Sequence, residues 1–324
     1  MNKIRDDLPL FRHWSPVFVH LDLTGVASSG KYERSHVMID GKTRLCGLIG
    51  NPVEHTVSPV IHNTLAQIYG HNLVYVPFLV DEGKTDEAVK GAYALNILGM
   101  NVTVPYKSEV IKSLVEVDEL AARIGAVNTL VRTEGGYKGY NTDMSGLQRA
   151  MECEGIRLEG EEIILLGAGG AARAVAYLCA SRKAKKVYML NRTLDKAKKV
   201  ANEVNESFGN EIIMPMLLSD YPQLPDGKFL AIQGTSVGLA PNDNEAVIED
   251  EAFYRRVHTG FDLVYRPFAT RFMKLTQAAG GRAYNGLKML LYQGVDAYEL
   301  WNNVTVSDED ADAVYGKMKE TMQL

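Results

Sequence analysis

From about Arg44 onward, short apolar runs alternate with stretches of helical period. Leu45-Cys46-Gly47-Leu48-Ile49, Leu73 to Leu79, Met100 to Val104 and Gly125 to Leu130 read as strands. Helices are expected from about Pro59 to Tyr69, from Thr85 to Leu95, around Val110–Leu114 and Glu119–Ile124, and from about Met144. Pro105 reads as the start of another helix, which puts Lys107 in its first turn. A second domain begins near residue 144. Ile163-Ile164-Leu165-Leu166 is its first strand, four consecutive apolar residues of the kind buried on both faces of a parallel sheet. Lys186 to Leu190, Phe229 to Ile232 and Gly260 to Val264 are further strands. Helices are expected at Ala171–Ala180, Thr270–Ala279 and Gly286–Trp301, with a final amphipathic stretch near Asp308–Met322. The pattern is α/β: an N-terminal α/β domain, then a doubly wound, Rossmann-type sheet. Residues 1–41 lack a clear period and read as an extension. One expectation is that translation starts at Met38, just ahead of the first regular strand; N-terminal mass analysis of native protein tests it, and finding residues 1–37 there rejects it.

The second domain opens on a glycine-rich turn. Gly167, Ala168, Gly169, Gly170 and Ala171 follow a buried strand and lead directly into an Ala-rich helix. Gly167 permits the tight turn, Gly169 lets the backbone approach a pyrophosphate, and Ala172 still allows close helix–strand packing. The helix N-terminus offers free N–H groups and a positive dipole end to phosphate. An ordinary tight strand–helix turn would have the same glycines; the flanking strand and helix favour a dinucleotide. After the next strand come Asn191, Arg192, Thr193 and Lys196. In NAD-binding forms an acidic residue commonly sits here and holds the ribose hydroxyls, whereas a guanidinium can bind a 2′-phosphate bidentately. This favours NADP over NAD. Lys196, Lys198 and Lys199 also read as a wet helix face.

Composition narrows the class. Of 324 residues, 46% are hydrophobic and 23% charged, which describes a soluble globular chain of about two domains. A net charge of −5 gives no field for nucleic acid or an anionic membrane. No run approaches the length of a membrane span, and the first twenty residues show no signal peptide. Three dispersed cysteines, Cys46, Cys153 and Cys179, argue against a disulfide framework or zinc site and for a cytoplasmic location.

Several polar residues carry a local and a chemical reading. Ser58 reads as an N-cap with Pro59 behind it, or with Thr56 as a pair of hydroxyls that bind a carboxylate. His55 reads as a loop residue. Lys107 reads as a solvated surface lysine, Asn128 as a side chain bonding nearby backbone, Asp143 as a helix cap, and Gln293 as a residue on a wet helix face.

Taken together, these residues resemble the shikimate dehydrogenase family. The motifs that carry the resemblance are Ile49-Gly50-Asn51-Pro52 with the paired hydroxyls, Asn101 to Lys107, Gly125 to Thr129, Asn141-Thr142-Asp143, Gly167 to Ala172, Asn191-Arg192-Thr193 and Gly286 to Gln293. The resemblance implies a substrate-binding domain over 42–143 and 285–324, and an NADP-binding domain over 144–284. It implies that Thr56 and Ser58 hold the substrate carboxylate, and that Thr103, Asn128, Asp143 and Gln293 hold ring hydroxyls. Lys107 is implied as the acid–base group, with Asp143 fixing its position. Gly167, Ala168, Gly169, Gly170 and Ala171 would line the pyrophosphate, and Asn191, Arg192, Thr193 and Lys196 the adenosine phosphate. Gly238 and Tyr265 would lie near the nicotinamide side, and Thr235 and Gly286 would also bind the cofactor. The implied reaction is reversible reduction of 3-dehydroshikimate by NADPH, with no metal needed. Alternatives are a quinate/shikimate dehydrogenase using NAD and a non-catalytic sensor of shikimate or nucleotide. The small molecule is the implied partner, with the assembly a monomer or homodimer. The chain departs from the family pattern at Thr56, where serine is usual, and at Gln233-Gly234-Thr235, where Asn-Ala-Thr or Asn-Thr-Thr is usual.

Overall fold

The computed structural model describes residues 39–239 and 243–324. The expectation about Met38 lies outside the described residues. In chain order the first part contains β1 (Arg44–Gly50), α1 (Ser58–Ile68), β2 (Leu73–Leu79), α2 (Thr85–Ala94), β3 (Gly99–Val102), a short 3₁₀ helix at Val110–Ser113, β4 (Glu116–Val117), α3 (Glu119–Ile124), β5 (Thr129–Thr133), β6 (Gly136–Tyr140) and α4 (Thr142–Cys153). Then come β7 (Glu162–Leu166), α5 (Gly170–Ser181), β8 (Lys186–Asn191), α6 (Leu194–Phe208), β9 (Ile213–Leu217), a second 3₁₀ helix at Leu218–Gln223, β10 (Phe229–Gln233), α7 (Glu251–Tyr254), β11 (Val257–Asp262), α8 (Arg271–Ala278) and β12 (Arg282–Tyr284). Helices α9 (Leu287–Asn302) and α10 (Asp308–Met322) finish the chain.

Two six-stranded sheets result. The first has the order β2-β1-β3-β5-β6-β4, with β1 parallel to β2 and β3, and β5 antiparallel to both β3 and β6. The second has the order β12-β11-β10-β7-β8-β9 and every pairing is parallel. This is the doubly wound order, and strand order reverses between β7 and β10. Ligands of such sheets bind outside the carboxyl ends at that switch point. Ile163 to Leu166 are fully buried, as a central strand covered on both faces requires.

The last two helices pack back on the first sheet's layer. Helix α9 lies against α4 and α1, and α10 against α1. Trp301 Nε1 donates to Leu130 O in β5 at 2.9 Å. The indole covers Gly99 so closely that a Cβ there would collide with it. Gly99→Ala is therefore expected to cost about 1–3 kcal/mol through overpacking. Thermal melting should fall by a few degrees; an unchanged midpoint would contradict this packing.

Several local expectations need correction. Ser58 is the first residue of α1 and not its cap; Val57 takes the cap position without a side-chain hydrogen bond. No α-helix starts at Pro105. Residues 104–109 form tight turns, so Lys107 is a turn residue. Asn128 precedes β5 instead of lying within a strand. Asn141, not Asp143, caps α4, accepting from Met144 N. Strand β11 begins earlier than Gly260, because Val257 pairs with Phe229 and Thr259 with Leu230 and Arg282, although His258 between them and Thr259 itself break the apolar run. The strand expected over Gly125 to Leu130 overlaps β5 only at Thr129 and Leu130, and β6 and the edge strands β4, β9 and β12 have no counterpart among the expected elements. Arg132 and Lys138 interrupt the β5–β6 hairpin's apolar pattern, and β9 contains Pro215, which an edge tolerates.

Candidate functional site

A cleft of about 330 Å³ collects residues that are far apart in sequence. Thr56, Ser58, Thr103, Lys107, Asn128, Asp143 and Gln293 all line it, together with Tyr265 and Gly286. These nine residues are expected from the sequence to serve substrate or cofactor, and the fold brings all nine to one place. His55 also lines it, as does Asn101, which the reading did not single out. Asn101 had a visible signal: it is the polar residue inside an otherwise apolar strand run.

Each side chain is held for a physical reason. Thr56 Oγ1 donates to Ser58 Oγ at 3.1 Å and accepts from Ser58 N at 3.2 Å, so the two hydroxyls leave the loop as a unit. They stand at the N-terminus of α1, where the cap residue Val57 offers no side-chain acceptor and the dipole favours an anion. The turn that presents Lys107 is pinned on both sides of it. Tyr106 is buried and donates to Val80 O at 2.7 Å, and Lys107 O accepts from Val127 N at 2.7 Å. Lys107 Nζ then reaches Asp143 Oδ2 at 2.7 Å, both side chains keeping partial access to solvent. Asp143 comes from the first turn of α4, whose entry is fixed by Asn128 Oδ1 accepting from Thr142 N at 2.7 Å. Asn101 closes the floor, its Oδ1 accepting from Tyr75 at 2.8 Å while its Nδ2 donates to Asn128 O and Thr129 Oγ1. Gln293 is buried within α9 and not on a wet face.

A second concavity lies at the carboxyl end of the parallel sheet, over the start of α5. It is lined by Ala168, Gly169, Gly170, Lys196 and, beyond the expected set, Arg173, Lys199 and Glu203. Gly167 has φ +109°, a backbone conformation for which glycine is suited. Gly169 occupies the cap position of α5 with no side chain on the free N–H groups, and a Cβ on Gly169 or Gly170 would meet nothing within 4 Å. Open helix N–H groups beneath empty space fit a pyrophosphate. Asn191 closes β8 and donates to Thr193 O at 2.8 Å; Arg192 and Thr193 are exposed, and Thr193 caps α6 with its backbone only. Arg192 has no ion-pair partner among the described residues, so its guanidinium is available to a phosphate. Arg173 is already engaged with Glu203 through Nε and Nη2. It lies one turn into α5, where the glycine motif gives no hint of it. Thr235 packs on Gly167, and Gly238, with φ +90°, ends the small-residue loop after β10. Residues Gly167, Ala171, Asn191, Arg192, Thr193, Thr235 and Gly238 line neither cavity, and stand at the carboxyl ends of β7, β8 and β10 or on the first turn of α5.

The architecture agrees with what comparison with known proteins finds. Residues 48–130 match the family described as shikimate dehydrogenase substrate binding domain, and residues 148–221 match shikimate / quinate 5-dehydrogenase. A shikimate dehydrogenase (NADP(+)) of Methanocaldococcus jannaschii is 41% identical over 272 residues, covering 82% of this chain and 94% of the relative. A crystal structure of a shikimate dehydrogenase in complex with NADP+ superposes with a TM-score of 0.79 at 36% identity, over 88% of this chain and 97% of the other. The shikimate 5-dehydrogenase of Listeria monocytogenes, in complex with shikimate and NAD, gives a TM-score of 0.79 at 30% identity, over 88% and 98%. With identity at this level across nearly the whole of each relative, the chain belongs to the shikimate dehydrogenase family.

Proposed function

We propose that this protein catalyses the reversible reduction of 3-dehydroshikimate to shikimate with NADPH. The observation that carries the reading is the Lys107–Asp143 pair, 2.7 Å apart in a cleft whose other walls offer hydroxyl and amide groups. The bound nicotinamide supplies the hydride. Thr56, Ser58 and the N-terminus of α1 hold the substrate carboxylate, and Thr103, Asn128 and Gln293 orient the ring hydroxyls. As the ketone carbon is reduced, negative charge grows on its oxygen. Lys107 stabilises that charge and delivers the proton from Nζ; in the oxidising direction it takes the proton back. Asp143 accepts one of its N–H bonds and leaves two free for the oxygen. Gly169 and Gly170 with the first turn of α5 hold the pyrophosphate, and Arg192 with Lys196 holds the adenosine phosphate. No helix among the described residues is long and apolar enough to cross a membrane. All three cysteines are free, which supports a cytoplasmic setting.

Thr56→Val should raise KM for shikimate about tenfold to a hundredfold, the loss of one hydrogen bond to a charged group. KM for NADP and the melting point should hold; an unchanged shikimate KM would remove Thr56 from carboxylate binding. The substrate reading itself is tested by kcat/KM for shikimate and quinate, each with NADP and with NAD. The expected order puts shikimate with NADP first. A higher value for quinate with NAD would overturn it.

A further inference from the structure

At the carboxyl end of β10, one side chain ties three segments together. Gln233 is 1% exposed. Its Oε1 accepts from Thr235 N at 2.5 Å, and its Nε2 donates to Val237 O at 2.9 Å. The same Nε2 lies 3.3 Å from Asp262 Oδ1, at the end of β11. Asp262 is fully buried. It accepts from Val264 N at 2.9 Å on Oδ1 and from the Thr270 hydroxyl at 2.6 Å on Oδ2. No lysine, arginine or histidine pairs with it among the described residues. It is thus a buried carboxylate held by hydrogen bonds alone.

The segments joined here border the glycine turn on one side and the substrate cleft on the other. Thr235 seats against the glycine turn, its Cγ2 2.8 Å from where a Gly167 Cβ would stand, and Gly234 lies against Ala172 of α5. On the other side Leu263 N donates to Gln233 O at 3.0 Å, and Gly286 N donates to Val264 O at 3.2 Å. Tyr265 and Gly286 then line the substrate cleft. Nothing in this network touches the reacting groups directly. An asparagine, one methylene shorter, would fall short of spanning from the strand to both Val237 O and Asp262.

We propose that Gln233, anchored on Asp262, is a positioning residue that fixes the 234–238 loop against the glycine turn and so sets the affinity for the nicotinamide half of the cofactor. The proposal rests on the dinucleotide reading above. It makes a distinctive prediction for a carboxylate at this position. In Gln233→Glu, two carboxyl groups would face one another in a buried site and share one proton, so the knot would close only while that proton is held. Burial already pushes Asp262 up to about 6, against the pull of Thr270 and Val264 N–H. The groups facing Asp262 add no cation: Gln233 from β10, Thr270 at the start of α8, and Tyr254 of α7, whose own hydroxyl is driven up by burial. Arg271, next along α8, is paired with Glu249.

The test is NADPH binding, followed by nucleotide fluorescence, together with steady-state kinetics of wild type, Gln233→Leu and Gln233→Glu. Gln233→Leu should weaken NADPH about tenfold and raise KM for NADP to match, the loss of one to two neutral hydrogen bonds, while KM for shikimate stays within about twofold. Gln233→Glu should bind NADPH nearly as wild type at about pH 5.5 and about tenfold more weakly than wild type at about pH 8, each compared at the same pH. Two results would overturn the proposal: variants that bind NADPH like wild type at both pH values, or equal losses for shikimate and NADPH with no recovery of Gln233→Glu at low pH. A wild-type chain that binds no NADPH would instead refute the dinucleotide reading beneath it.

Discussion

Lys107→Ala is expected to lower kcat by about two to four orders of magnitude, the usual contribution of a positioned proton donor. The argument is geometric. Tyr106 and Val127 lock the turn on either side of Lys107, so the ammonium is presented to the cleft by a fixed backbone and not by a wandering side chain. Asp143 then fixes its far end at 2.7 Å. Alanine removes the proton and the positive charge together and leaves Asp143 partly exposed, where water can solvate it. The fold should survive, because the Tyr106 hydroxyl and the backbone carbonyl of residue 107, which hold the turn, are both retained. Binding of shikimate and NADPH, measured separately, should change far less than kcat. Turnover near that of wild type would remove Lys107 from the chemistry.

Arg192→Ala is expected to raise KM for NADP by about tenfold to a hundredfold and to leave KM for NAD nearly unchanged. Arg192 is exposed at the end of β8, beside an α6 N-terminus that only the Thr193 backbone caps. With no ion-pair partner among the described residues it gives up nothing to bind a phosphate. Arg173, the other guanidinium nearby, is committed to Glu203 and cannot replace it without breaking that pair. The difference between the two cofactors isolates the 2′-phosphate, since NAD lacks only that group. Steady-state kinetics with both cofactors checks it, and equal losses for NADP and NAD would mean that Arg192 supports the loop without reading the phosphate.

How much of this was legible in the sequence depends on burial. Strands β7, β8 and β10 are covered on both faces, so they appear as unbroken apolar runs and could be read directly. The glycine turn was legible because the conformation of Gly167 restricts its residue choice. The β5–β6 hairpin was not, because Arg132 and Lys138 sit in half-exposed strands where alternation is blurred. The cleft residues were named through family resemblance, but their supports were not. That Pro105 leads into a turn depends on Tyr106 finding Val80 O, a partner 26 residues away. That Gln293 is buried depends on α9 packing against α4, with Gln293 backbone lying on Gly146. Arg173 was missed because its partner, Glu203, lies on a different helix. Local pattern carries no record of such long-range contacts.

The central claim is most directly tested by absorbance at the NADPH band after mixing purified protein with shikimate and NADP. The account predicts rapid appearance of NADPH with this pair, slower change when NAD or quinate is substituted, and reversal when 3-dehydroshikimate is added. No change in absorbance with any pair, from a folded protein that still binds NADPH and shikimate, would contradict it and leave a binding protein in place of an enzyme.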